Sequence, residues 1–145
     1  MEEDDEIEIL LVEDNPYDAE LALRAFKKNN IYNPIKVLDD GEEALDFIFC
    51  RGEYNERGMC KKIKVILLDL KLPKINGLEV LKAIKTDPVT KKIPVVMLTS
   101  SKEESDIVES YNLGANSYIV KPVDFNKFVE AVRDLGLYWL LLNQV

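Results

Sequence analysis

Five short apolar runs, each followed by an amphipathic stretch of helical length, set what this chain can fold into. The clearest is Val65–Leu70, VILLDL; the others are Ile7–Val12, Ile35–Leu38, the PVVMLTS segment from Pro94, and SYIV, Ser117–Val120. A strand with one wet face alternates apolar and polar residues, and these runs do not. They read as strands covered on both faces, the pattern of a parallel sheet. Between them lie helical stretches: Ala19, Leu21, Ala22, Leu23, Ala25 and Phe26 after an Asn15-Pro16 start; Gly41–Phe49 with Ala44, Leu45 and Ile48 inward; and a third opened by NGLEVLKAIK, with Leu78, Leu81 and Ile84 in phase. The fourth, Glu103–Leu113, is closed by Gly114, and the fifth, Asp124–Leu135, is capped by Asp124.

Parallel neighbours need long crossovers, and right-handed crossovers lay helices on both sides of a sheet. The predicted fold is therefore α/β: a doubly wound, five-stranded parallel sheet of order 2-1-3-4-5, the usual order for open sheets of this size. At 145 residues the length fits one core. The expected layout is a frayed acidic terminus over residues 1–6, one domain over 7–135 and an apolar tail over 136–145. Cys50–Lys62, polar with two glycines, reads as a loop or a helix extension.

The net charge of −8 and the lack of a basic stripe argue against nucleic acid, whose phosphates need clustered Lys and Arg. No signal peptide is recognisable and no apolar run approaches the roughly 18 residues that cross a bilayer, so the expected location is the cytoplasm with no membrane contact. Cys50 and Cys60 form no metal or disulfide pattern and read as free thiols. The chain has no histidine, which removes His ligands, a His base and a Ser-His-Asp triad. Its chemistry must be that of carboxylates, hydroxyls and amines.

Those groups stand where the strands end. The first strand stops at Glu13-Asp14, the third at Asp69, the fourth at Thr99-Ser100 and the fifth at Lys121-Pro122; the second offers only the turn acids Asp39 and Asp40. In doubly wound sheets ligands bind at this edge, where the winding reverses. Singly, each group has a plain alternative as a cap, a loop opening or a surface lysine. No requirement of folding asks for one such group on each strand. Glu13, Asp14 and Asp69 make an all-oxygen set suited to Mg²⁺, and Lys121 adds a second positive charge. Such a site fits phosphoryl transfer to a carboxylate. Asp69 is the expected nucleophile, with Thr99 donating to a phosphoryl oxygen and Lys121 offsetting its charge.

LVEDNPYDAEL, ILLDLKLPKINGLEVL, IPVVMLTSS and LGANSYIVKPVD, in that order, resemble the receiver domain of two-component response regulators, from about Ile7 to Arg133. The resemblance implies a flavodoxin-like (βα)5 fold and a phosphoryl group passed to Asp69 by a sensor histidine kinase. It also implies Asp14 and Asp69 as direct Mg²⁺ ligands, Glu13 acting through water, and the Lys71 carbonyl completing the protein ligands. Thr99 and Tyr118 match the family's switch pair, in which the hydroxyl moves to the phosphate and the ring swings inward. Lys121-Pro122 matches a lysine before a cis peptide bond. The opening motif, the long segment after the second helix and the YWLLL tail are similar to stand-alone receivers that pair with phytochrome-type kinases. Glu13 stands where many receivers have Asp, and Lys71 occupies a position that tunes phosphate lifetime in this family.

With no output domain after Leu135, the signal is expected to act on an unidentified downstream protein or through self-association. Leu137–Leu142 is apolar all round; it reads either as a cap folded over the domain's own core or, the favoured reading, as a homodimer contact with the fifth helix. The rival readings are a Mg²⁺-dependent phosphohydrolase, a flavin domain and a phosphorylation-independent adaptor. The first lacks its acid two residues after Asp69, where Lys71 stands. The second lacks a phosphate-cradling loop, and the third is at odds with a full set of site residues.

Overall fold

The computed structural model describes residues 6–28, 30–54, 63–100 and 104–135. The acidic terminus up to residue 5, residues 55–62 with Cys60, and the apolar tail with its dimer expectation lie outside the described residues. Five strands, β1 (Ile9–Val12), β2 (Ile35–Leu38), β3 (Val65–Asp69), β4 (Val95–Thr99) and β5 (Ser117–Val120), alternate with five helices. These are α1 (Pro16–Lys28), α2 (Gly41–Ile48), α3 (Gly77–Thr86), α4 (Glu104–Asn112) and α5 (Phe125–Asp134). The strands form one parallel sheet of order β2-β1-β3-β4-β5, the expected order.

Every residue of β1, β3 and β4 is buried, which is why these strands read as unbroken apolar runs. Their side chains still alternate between two cores. Leu10, Val12, Ile66, Leu68, Val95 and Met97 face α2 and α3, while Ile9, Leu11, Val65, Leu67, Val96 and Leu98 face α1 and α5. Phe26 of α1 meets Phe128 of α5 at 4.4 Å between ring centroids, closing the second core. Cutting back a fully buried residue such as Leu67 costs about 2–5 kcal/mol, because the surroundings collapse only partly.

The helices begin where a side chain satisfies the first free amides. Asn15 Oδ1 accepts from the Tyr17 and Asp18 amides; Asp40, Asn76 and Asp124 do the same for Glu43, Glu79 and Lys127. α3 stops at Thr86 because Asp87 precedes Pro88 and is pushed to an extended conformation. One boundary shifts. β1 starts at Ile9, although backbone contacts run one residue further back: the Lys64 amide donates to the Glu8 carbonyl at 2.7 Å beside a side-chain ion pair of 3.0 Å between the same residues. In α3 Leu78, Leu81 and Ile84 pack on the core as expected, Leu78 half-buried, and Val80 joins them, while Gly77 pins the helix start against the end of β3. A Cβ on Gly77 would fall 2.1 Å from the Asp69 carbonyl oxygen, so only glycine allows this approach.

Candidate functional site

The sheet register gathers the strand-end groups. Val12 pairs with Leu68, so Glu13 follows beside Asp69; Asp69 pairs with Leu98, and Thr99 pairs with Val120, the residue before Lys121. The Lys121 amide donates to the Thr99 carbonyl at 2.7 Å, holding the fifth strand's end against the fourth. The Lys121-Pro122 bond is cis, as the motif led one to expect.

Lys121 is the centre of the arrangement. Its Nζ lies 2.8 Å from Glu13 Oε1, 3.1 Å from Asp69 Oδ2 and 3.4 Å from Asp18 Oδ2. The side chains of Glu13 and Asp69 are 1% and 6% exposed, so these charges stand almost out of water. The Glu13 contact is close but poorly aligned, and this oxygen accepts no hydrogen bond. Glu13 Oε2 accepts from the Asn15 amide at 3.1 Å. Burial, with a smaller contribution from Asp69 nearby, raises the Glu13 carboxyl to about 7 despite the opposing pull of Lys121. Burial by itself lowers the proton affinity of Lys121; Glu13 and Asp69 outweigh it and leave the ammonium above its ordinary value. Asp69 Oδ1 accepts from the Lys71 amide at 3.3 Å, while the Lys71 side chain is exposed.

Oxygens of Glu13, Asp14 and Asp69 lie within 4.8 Å of one another. Three hard donors, two of them buried and one oxygen left without a hydrogen bond, fit a divalent cation that takes carboxylate and water ligands. Thr99 is buried at the end of β4 beside this group. Tyr118 is not in the crevice. It lies on β5, 38% exposed, edge-on to Tyr111 at 6.1 Å. The sequence reading missed Asp18. Its place in the first turn of the helix opened by Asn15-Pro16, directly after the acids that end β1, was the available signal.

A doubly wound sheet with an acid triad and a lysine at its switch point defines a class of metal-assisted phosphoacceptor domains. Residues 9–133 match the response regulator receiver domain family, and the chain belongs to it. It is 39% identical to the response regulator Rcp1 of Synechocystis sp., over 91% of this chain and 88% of that one. It is also 39% identical to a probable methanogenesis regulatory protein, FilR2, of Methanothrix harundinacea, over 99% of this chain and 90% of that one. Among solved structures it resembles the bacteriophytochrome response regulator AtBRR at 53% identity, with a TM-score of 0.84 over 95% of this chain and 98% of that one. The phosphorylated cyanobacterial phytochrome response regulator RcpA is similar at 40% identity, with a TM-score of 0.75 over 92% and 94% of the two chains. The protein is a phosphoacceptor response regulator of two-component signalling, a domain that receives phosphate from histidine kinases. Receivers bind divalent metal, and a similar structure, Rcp1 at 38% identity and a TM-score of 0.74 over 94% and 96% of the chains, is of a Mn²⁺-bound form.

Proposed function

We propose that Asp69 is the phosphoacceptor, that Glu13, Asp14, Asp69 and the Lys71 carbonyl hold Mg²⁺, and that Thr99 and Lys121 receive the phosphoryl oxygens. The observation that carries this reading is the lysine bridge: an ammonium already held at 3.1 Å from the one carboxylate central to the sheet. An Asp69 carboxylate oxygen forms a bond to phosphorus as the P–N bond to the kinase's phosphohistidine breaks, and the electron pair stays on the imidazole nitrogen. The product is an acyl phosphate. Hydrolysis later reverses the modification: a water oxygen bonds to phosphorus, the P–O bond to Asp69 breaks, and carboxylate and inorganic phosphate are left. Bound Mg²⁺ supplies positive charge that offsets the charge on the transferring oxygens. Lys121 gives up its hold on Asp69 to pair with the phosphoryl group, and the Thr99 hydroxyl donates to it. Space left by Thr99 admits the Tyr118 ring, whose half-exposed position against Tyr111 leaves it free of the core.

The chain is not a turnover enzyme in this reading; it catalyses only its own phosphorylation and dephosphorylation. The exposed Lys71 side chain, standing where a hydrolase would place an acid, supports that. Similarity to phytochrome response regulators favours a phytochrome-type sensor kinase as donor. A net charge of −8 favours protein partners over nucleic acid, and the cytoplasm is the fitting compartment, no helix among the described residues being long and apolar enough to cross a membrane. Self-association through α5 and the residues after it is part of the same proposal. Acetyl phosphate with Mg²⁺ adds one phosphoryl group by intact mass. Uptake by Asp69→Asn at the wild-type rate overturns the assignment.

A further inference from the structure

Lys121 touches three carboxylates, and only two of them belong to the metal-capable group. Glu13 and Asp69 do; Asp18 does not. Asp18 sits in the first turn of α1, 25% exposed, with its amide fixed at 3.2 Å by Asn15 Oδ1. The helix dipole favours a negative charge in that turn.

Resting on the phosphoacceptor reading, we infer that Asp18 is a positioning residue that competes with the phosphoryl group for Lys121 and so limits how strongly the site attracts an anionic donor. The ammonium donates to Asp69 and Asp18 and pairs with Glu13 through charge alone. Glu13, Asp14 and Asp69 would hold a divalent cation, and two of the partners of Lys121 would then be engaged with it. Asp18 is then the carboxylate left to Lys121, and a phosphoryl oxygen competes with it for the same ammonium. Asp18 also adds negative potential at the mouth of the crevice, where the donor enters. Both effects have one sign: removing the Asp18 charge strengthens the site's hold on phosphate.

The test compares wild type, Asp18→Asn and Asp18→Glu at saturating Mg²⁺, with acetyl phosphate and the less negatively charged phosphoramidate as donors, phosphate uptake being read by intact mass. Asp18→Asn is expected to raise the second-order rate constant for acetyl phosphate about threefold to tenfold, an effect discounted for partial exposure. The gain is smaller with phosphoramidate and shrinks at high salt. Asp18→Glu, which keeps the charge, stays close to wild type. Fluoroberyllate, a phosphoryl mimic, binds Asp18→Asn more tightly.

An unchanged or slower Asp18→Asn with wild-type melting temperature overturns the inference, as does an equal gain with both donors. A loss of Mg²⁺ affinity of about tenfold or more in Asp18→Asn also overturns it, because that places the residue among the metal's partners. Wild type that takes up no phosphate refutes the phosphoacceptor reading itself, a result distinct from all of these. Should Asp18→Asn fold poorly, Asp18→Ser replaces it under the same expectations.

Discussion

Two groups of three acids stand at the same edge of the sheet, and they have different work. Glu13, Asp14 and Asp69 form one; Asp39, Asp40 and Glu43, after β2, form the other. A crevice of about 550 Å³ runs between them, lined by Glu13, Asp14, Val37, Asp39 and Glu43 among others. In the second group Asp39 is exposed, and Asp40 and Glu43 are engaged by the fold. Asp40 Oδ1 caps α2 through the Glu43 amide at 2.7 Å, its Oδ2 pairs with Lys74 at 3.5 Å, and Glu43 accepts from the Tyr54 hydroxyl at 3.2 Å. In the first group two acids are buried side by side on a shared lysine, with one oxygen lacking a hydrogen bond. Acid count therefore says little about chemistry. What separates the groups is burial around a shared lysine in the first against exposure and helix capping in the second.

The sharpest way to break this comparison is to neutralise one acid in each group. Asp69→Asn should abolish phosphate uptake, whereas Asp39→Asn should leave its rate within about twofold, the usual reach of an exposed charge. The lysines come next. Lys121→Gln removes the cation facing the transferring oxygens and should slow uptake about a hundredfold. Lys74→Gln, at the second group, should leave uptake unchanged in the same time course.

Stability should respond in opposite directions. Asp40→Ala removes a helix cap and is expected to cost about 1–2 kcal/mol. Asp69→Asn relieves like-charge repulsion in a nearly dry site and should stabilise the metal-free protein by about 1–2 kcal/mol. Urea midpoints in the presence of a chelator measure both. Equal losses would mean that the first group is as structural as the second.

The smallest effect is in pH. Burial raises the Glu13 carboxyl to about 7, so the folded chain binds that proton more tightly than the unfolded chain does. The unfolded state then holds fewer protons between the ordinary glutamate range and pH 7. From this group, metal-free stability falls as pH rises through that window and levels off above it. Mg²⁺ has the opposite preference, because it needs the carboxylate: its affinity should weaken below pH 7, and uptake near neutrality should release protons. Urea midpoints and Mg²⁺ titrations at pH 5.5 and 8 test both signs, and a pH-independent Mg²⁺ affinity would remove Glu13 from the site.

Much of the sheet was legible because its evidence is local. Unbroken runs such as Val65–Leu70 name a strand covered twice, and the capping residues Asn15, Asn76 and Asp124 mark helix starts within a few residues of the amides they serve. The acid and lysine at the strand ends were legible for the same reason, since a strand's carboxyl end is a place in sequence. The phase of α3 was legible too, Leu78, Leu81 and Ile84 packing on one core, whereas the close approach of Gly77 to the Asp69 carbonyl, a contact between elements, was not.

The sequence alone determined the layering and which side chains reach the crevice edge, while the strand order came from the usual order of open sheets of this size. Tertiary structure decided how they share charge. Lys121 meets Asp69 across 52 residues and Asp18 across 103, and no periodic pattern records a contact at such separation. It also decided that Glu13 holds its proton to about 7 while Asp40 serves as a cap. The reason is physical: strand and helix are written by neighbours along the chain, whereas the energy of a charge depends on the water it has lost and the charges it meets. Only the packed fold sets those.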